Sequence, residues 1–177
     1  AMHLGMAKEF EVTDQIVEFY AQRAKGEPGM ICVGYATIDD LSGNTQNIGA
    51  HADRFIPGLT RLASAIKENG SLAAVQINHA GRYNFSFFLD GKQPVAPSAI
   101  ASRMTKETPK AMSVEEIGQT ITSFAAAAEP LASAEYLVCL SLDGGDKRSA
   151  RIHLAAPLSL SELRAALGGS AIRWSDD

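Results

Sequence analysis

An α/β fold of parallel strands joined by crossover helices is what this 177-residue sequence predicts. Three observations carry the prediction. Short apolar runs at 30–35 and 71–77 read as buried strands; amphipathic helical periods stand before, between and after them; and the two kinds of segment alternate along the chain.

The elements follow in order. Thr13 is placed to cap a first helix, with Asp14 in the turn where a negative charge favours the helix dipole. Ile16, Val17, Tyr20, Ala21 and Ala24 share one face of it, and Gly26 with Pro28 ends it. "MICVGY" (30–35) is the first buried strand, followed by a loop rich in Asp, Gly and Asn over 37–53. A second helix spans 54–69, with Pro57 in its first turn and Phe55, Leu59, Leu62, Ala63 and Ile66 as its apolar stripe. Gly70 stands at the position after the helix end where a left-handed residue is favoured. "SLAAVQI" (71–77) is the next strand. After a long connection, Ser113 and Glu116 form a capping box for a helix over 114–128, striped by Ile117, Ile121 and Phe124.

Composition sets outer bounds. Hydrophobic residues make up 46% of the chain and charged residues 20%, as in an ordinary globular domain. A formal charge of −4 argues against a general nucleic-acid binder. No run approaches the ~20 apolar residues that span a bilayer, and the first residues lack the basic and apolar regions of a signal peptide. Cys32 and Cys139 lie far apart in apolar runs and read as buried reduced thiols. A cytoplasmic protein without membrane contact is expected. His3, His51, His79 and His153 show no ligand spacing, so no metal site is expected.

The stretch "AAVQINHAGRY" (73–83) passes abruptly from apolar to hydrogen-bonding residues. In parallel α/β folds, ligands sit beyond the carboxyl ends of the strands. Gln76, Asn78, His79 and Arg82 lie there, and so do Gly34 to Thr37 after the preceding strand. The Gln76 amide can donate and accept, which suits the edge of a heterocycle. Arg82 suits an anion, and Gly81 permits unusual backbone angles. A solvated strand end, with His79 satisfied by the backbone, accounts for the same residue types.

Five stretches, "MHLG", "FIPGLTRLASAIKENG", "QINHAGRY", "PVAPSAIAS" and "MSVEEIGQTITSFAAAA", together resemble landmarks of one family, in order and with natural spacing. That family is the old yellow enzyme and 2,4-dienoyl-CoA reductase group of flavin oxidoreductases, and the resemblance runs over residues 2–128. It implies a (β/α) barrel that holds FMN at the carboxyl ends of its strands and passes hydride from NAD(P)H to an activated alkene. By that resemblance Gln76 bonds the isoalloxazine edge. Met2 and His3 end the first strand beside the ring, and Gly34, Tyr35 and Ala36 are the second strand's contribution. Tyr35 is bulkier than the family's usual residue there. His79 and Arg82 fall on the substrate side, and residues 96–102 belong to the excursion that walls it.

The family barrel is about twice as long as this chain, and the text changes near 129. Pro130 falls inside the expected helix. "EYLVCLSLDGGDKRSARIHLAAP" then reads as two strands, 135–142 and 150–155, paired antiparallel, and Ser159 caps a short helix over 160–167 that ends at Gly168 and Gly169. "PLASAEYLVCLSLDGG" with "ARIHLAAPL" resembles a stretch beyond the motor domains of bacterial ATP-dependent helicases of the HrpB type, with no nucleotide-hydrolysing motif. The expected molecule is one folded unit. It comprises a truncated FMN-barrel segment, 1–128, of three βα units, and a foreign hairpin-plus-helix segment, 129–177, whose first strand pairs beside 71–77. A flattened, doubly wound sheet is the alternative to this partial barrel. The expected role is that of a chimera without catalytic turnover, with FMN bound weakly or not at all and copies associating through exposed strand edges. Two alternatives stand beside it: an FMN-binding ene-reductase with residual activity, and nucleic-acid binding through Lys147, Arg148, Arg151, Arg164 and Arg173.

Overall fold

A computed structural model describes residues 2–134, 136–144 and 150–154 of the protein. Its first helix, α1 (Asp14–Ala24), starts at Thr13, whose Oγ accepts from the Ile16 amide at 3.3 Å and donates to the Met6 carbonyl at 2.8 Å. Ile16, Tyr20 and Ala24 are its buried residues. Strand β1 (Met30–Thr37) extends two residues past the expected end, and β2 (Ile48–Gly49) is a short strand that no sequence signal marked. A 3-10 turn at Asp53–Phe55 leads into α2 (Ile56–Lys67), and β3 (Leu72–Asn78) follows Gly70, whose φ of 87° is left-handed. Two two-residue strands, β4 (Val95–Ala96) and β5 (Lys110–Ala111), pair in parallel and tie down the long connection. Helix α3 (Val114–Ser133) carries the expected capping box: the Glu116 amide donates to Ser113 Oγ at 3.1 Å, and the Ser113 amide to Glu116 Oε2 at 2.8 Å.

The principal sheet has the order β2-β1-β3-β6-β7, where β6 is Leu137–Gly144 and β7 is Ala150–Leu154. β1 pairs in parallel with β2 and β3, and β3 with β6; only β7 is antiparallel. The tail's first strand therefore lies beside β3, and its hairpin partner covers the outer edge of β6. β2 lies on one side of β1 and β3 with β6 on the other, so the strand order alone is shared by a partial barrel and by the flattened, doubly wound alternative. The helix expected over 160–167, the hairpin connection and the basic tail side chains lie outside the described residues.

One core serves the described residues. Phe55, Leu59, Leu62 and Ile66 of the second-helix stripe are at most 1% exposed, and they join Ile16, Tyr20, Val33, Val75 and Ile77 in a single cluster. The third helix starts where expected and differs at its carboxyl end. It runs on through Pro130 to Ser133, and the Ala134 amide still bonds the Pro130 carbonyl at 3.0 Å. A proline here costs one helical bond and crowds the preceding turn. The added turn, however, buries Leu131 and brings in Ala134, and apolar burial at about 25 cal/mol per Å² offsets that cost. Along the helix, Ile121, expected on its apolar stripe, is exposed rather than packed.

Two smaller expectations are also corrected. Residues 2–5 form no strand; β2 pairs with β1 at Ala36 and Thr37, and the amino-terminal segment is tied to the loop before β2 by the Ala7 amide on the Gln46 carbonyl. Cys32 is half-buried, not enclosed. Among the described residues, no helix is long and apolar enough to cross a membrane and no cluster of three metal-ligating side chains occurs.

Candidate functional site at the strand ends

The carboxyl ends of β1 and β3 are shaped by a bulge. Val33 pairs with Val75 and Ala36 with Ile77, so Gly34 and Tyr35 of β1 together oppose the one residue Gln76. Such an insertion bends a strand and re-aims its side chains. The Gly34 amide donates to Tyr20 Oη at 3.2 Å. Burial pushes the Tyr20 phenol above its ordinary pKa, with the Gly34 N–H working against that shift.

Strand alternation assigns the faces. Ala73, Val75 and Ile77 pack into the helix-side core, whereas Leu72, Gln76 and Asn78 are half-buried on the opposite face. Ala36 is fully buried in the core, and in the sheet it stands in register with Ile48 of β2 and Ile77 of β3. Tyr35 turns toward the amino-terminal segment, its ring centroid 5.9 Å from that of His3 at an interplanar angle of 42°. Burial raises the Tyr35 phenol, opposed by the nearby Asn47 amide, although the two do not reach hydrogen-bonding geometry. Met2 is 63% exposed.

A narrow cleft runs alongside, lined by His3, Leu4, Tyr20, Gly34, Asn47 and Ile48 among others. Asn47 is 2% exposed; its Oδ1 accepts from the Asn44 amide at 2.9 Å, while its Nδ2 is a buried donor without a hydrogen-bond partner. A buried orphan donor is costly, and such groups cluster where function demands them.

His79 and Arg82 sit on the turn after β3. The Gly81 amide donates to His79 Nδ1 at 2.9 Å, and Gly81 has a left-handed φ of 55°, the freedom expected of it. Burial lowers the His79 pKa, and the charge of Asp39 opposes the shift. Arg82 donates to Tyr83 Oη at 3.2 Å, with its guanidinium 5.2 Å from the Tyr83 ring centroid. This turn is bound to the loop after β1: the Ala80 amide bonds the Ser42 carbonyl at 2.8 Å, and Asn84 Nδ2 bonds the carbonyls of Leu41 at 3.2 Å and Gly43 at 2.9 Å.

Sequence reasoning missed the residues that build this support. Ser42 Oγ accepts from the amides of Ile38 and Asp39. His51 lies with Nδ1 3.3 Å from Thr37 Oγ and Nε2 3.3 Å from Asp40, wedged edge-on between Phe10 and Phe55. The signal available was the density of Asp, Ser and Asn over 39–47, residues whose short side chains bond neighbouring backbone.

The profile of the NADH:flavin oxidoreductase / NADH oxidase family matches residues 2–137. A metal reductase of Desulforamulus reducens is 43% identical over 148 residues, covering 77% of this chain and 22% of that protein. An NADPH dehydrogenase of Bacillus cytotoxicus is 38% identical over 129 residues, 72% of this chain and 36% of its own length. Among solved structures, a 2-naphthoyl-CoA reductase complex superposes with a TM-score of 0.70 at 27% identity, over 76% of this chain and 23% of that one. The old yellow enzyme homologue of Zymomonas mobilis gives 0.65 at 27% identity, over 76% and 40%. The chain thus spans well under half the length of the proteins it matches.

Proposed function

The chain belongs to the NADH:flavin oxidoreductase / NADH oxidase family, and from that premise we propose that residues 2–137 are a partial (β/α) barrel carrying the half of an FMN site that grips one edge of the ring. The observation that carries this reading is the bulge that sets Gly34 and Tyr35 against Gln76 at the carboxyl ends of parallel strands. The donor set fits such a ring. The half-buried Gln76 amide both donates and accepts, which suits the edge of a flat heterocycle with alternating acceptors and donors. Gln76, the backbone of Gly34 and Ala36, and the rings of His3 and Tyr35 would hold it, with Met2 at the margin. His79 and Arg82 would face the substrate. When bound, the flavin supplies hydride transfer between a nicotinamide and an acceptor; the residues named here bind, orient and shield it.

This half-site binds FMN weakly and does not turn over. By the resemblance, the groups that clamp the phosphate and the second pair of substrate residues belong to later strands. Losing a phosphate clamp is worth several kcal/mol, and each ~1.4 kcal/mol is tenfold in Kd. Beyond residue 137 the family match stops while the sheet continues. That break supports reading the chain as a chimera in which a helicase-like segment supplies β6 and β7. The exposed Val114, Ile121 and Phe87 support self-association. Anaerobic addition of NADH or NADPH to the FMN-saturated protein tests the lack of turnover. Bleaching of the visible flavin band no faster than with free FMN is expected; protein-dependent bleaching contradicts it.

A further inference from the structure

We propose that His79 is a positioning residue whose neutral imidazole latches the turn carrying Arg82, and that protonation of its Nδ1 opens that turn. The proposal rests on reading the strand ends as the ligand site. The geometry is local and specific. The Gly81 amide donates to Nδ1 at 2.9 Å, so that nitrogen must hold a lone pair and the ring proton must reside on Nε2. The bond closes a three-residue loop across Gly81, whose left-handed φ of 55° is the conformation that puts Arg82 and Tyr83 into the following 3-10 turn. A protonated ring has two donors and no acceptor, so it cannot keep this bond.

The surroundings favour the neutral form. His79 is half-buried, and burial lowers its pKa. The charged groups on the elements packed around the turn are Asp39 and Asp40 after β1, Arg82 on the turn itself, and Arg103, Lys106 and Glu107 on the segment whose Thr105 hydroxyl reaches the Arg82 carbonyl at 3.5 Å. Asp40 is engaged with His51, and the Glu107 carboxylate accepts from the Ser86 amide at 3.1 Å. Asp39 opposes the shift without overturning it. The turn is also held by the Ala80 amide on Ser42, the Tyr83 amide on Ala80, the Asn84 amide on Gly81, the Thr105 hydroxyl on Arg82 and the Asn84 side chain on the loop after β1, so the latch fixes the Gly81 N–H and leaves the anchor points on either side in place.

The test uses the whole chain and needs no flavin. Amide exchange and the ¹⁵N shift of Gly81 are followed by NMR from pH 8 to pH 5, together with the His79 ring nitrogens. The Nε2–H tautomer is expected at high pH, with Gly81 protection falling about tenfold as the ring protonates, the worth of one hydrogen bond. His79→Ala should show the unlatched Gly81 at every pH. His79→Asn should restore the latch and remove its pH dependence, because an Asn carbonyl accepts from the amide two residues on without titrating. A Gly81 amide that does not follow the His79 titration, or an Asn variant that titrates like the wild type, overturns the proposal. Failure of flavin binding alone would leave these readouts intact and would count only against the site.

Discussion

The α2 side of the molecule and its α3 side are built from similar helices but closed to different degrees. Around α2, Leu59, Leu62 and Ile66 are fully buried, and Gly49 is pressed so close to Phe55 that an added Cβ would lie 2.6 Å from the ring. Along the first half of α3 and the excursion before it, Val114 is 87% exposed, Ile121 66% and Phe87 66%. The same apolar periodicity reads as core in one place and meets solvent in the other. Periodicity thus marks a face that seeks a partner, and only the sheet and its neighbours decide whether the partner is within the chain.

Substitutions at the two ends of this comparison should differ sharply. Leu62→Ala should cost 2–5 kcal/mol in urea unfolding, about the cost of emptying a closed core site. Gly49→Ala should cost about 1–3 kcal/mol through overpacking against Phe55, with Phe55→Leu in the same chain recovering part of it. Asn84→Ala should cost about 1–3 kcal/mol, because two loop carbonyls lose a shared donor. Ile121→Ser should change stability by no more than ~0.5 kcal/mol while reducing self-association in sedimentation. A large stability loss at Ile121 would mean that the open side is closed after all.

A pH effect sharpens the same contrast at the open end. The Lys110 ammonium, then the Ser113 amide, hold the Glu116 carboxyl below its ordinary range. A carboxylate whose folded pKa is depressed contributes stability above its unfolded pKa and loses it as pH falls through the folded value. Acid should therefore fray the start of α3 first, seen as early loss of protection at Ile117, whereas Lys110→Met should remove most of that pH dependence and Ser113→Ala, which keeps the backbone amide, should leave most of it.

Much of this was legible in the chain itself. The α2 stripe from Phe55 to Ile66, the caps at Thr13 and Ser113 and the left-handed Gly70 follow from local rules of spacing and termination. What escaped was whatever depends on contacts between distant segments. The extra residue at Gly34–Tyr35 changes no periodicity, yet it decides what opposes Gln76. The passage of α3 through Pro130 is decided by how much Leu131 and Ala134 bury. The binding of Asn84 to Leu41 and Gly43 joins residues more than 40 apart, and neither partner signals the other. At the candidate site, the residue types at Gln76, His79 and Arg82 were readable; the support behind them, from Ser42 to His51, was not.

The most direct test is an FMN titration of the purified chain beside its Gln76→Ala variant, followed by flavin fluorescence, with a thermal melt to show that both fold. Saturable but weak binding by the wild-type chain, lost in the variant, is the predicted result. Binding that is unchanged in Gln76→Ala, or no binding by a wild-type chain that melts cooperatively, would contradict the claim that the ends of β1 and β3 form half of a flavin site.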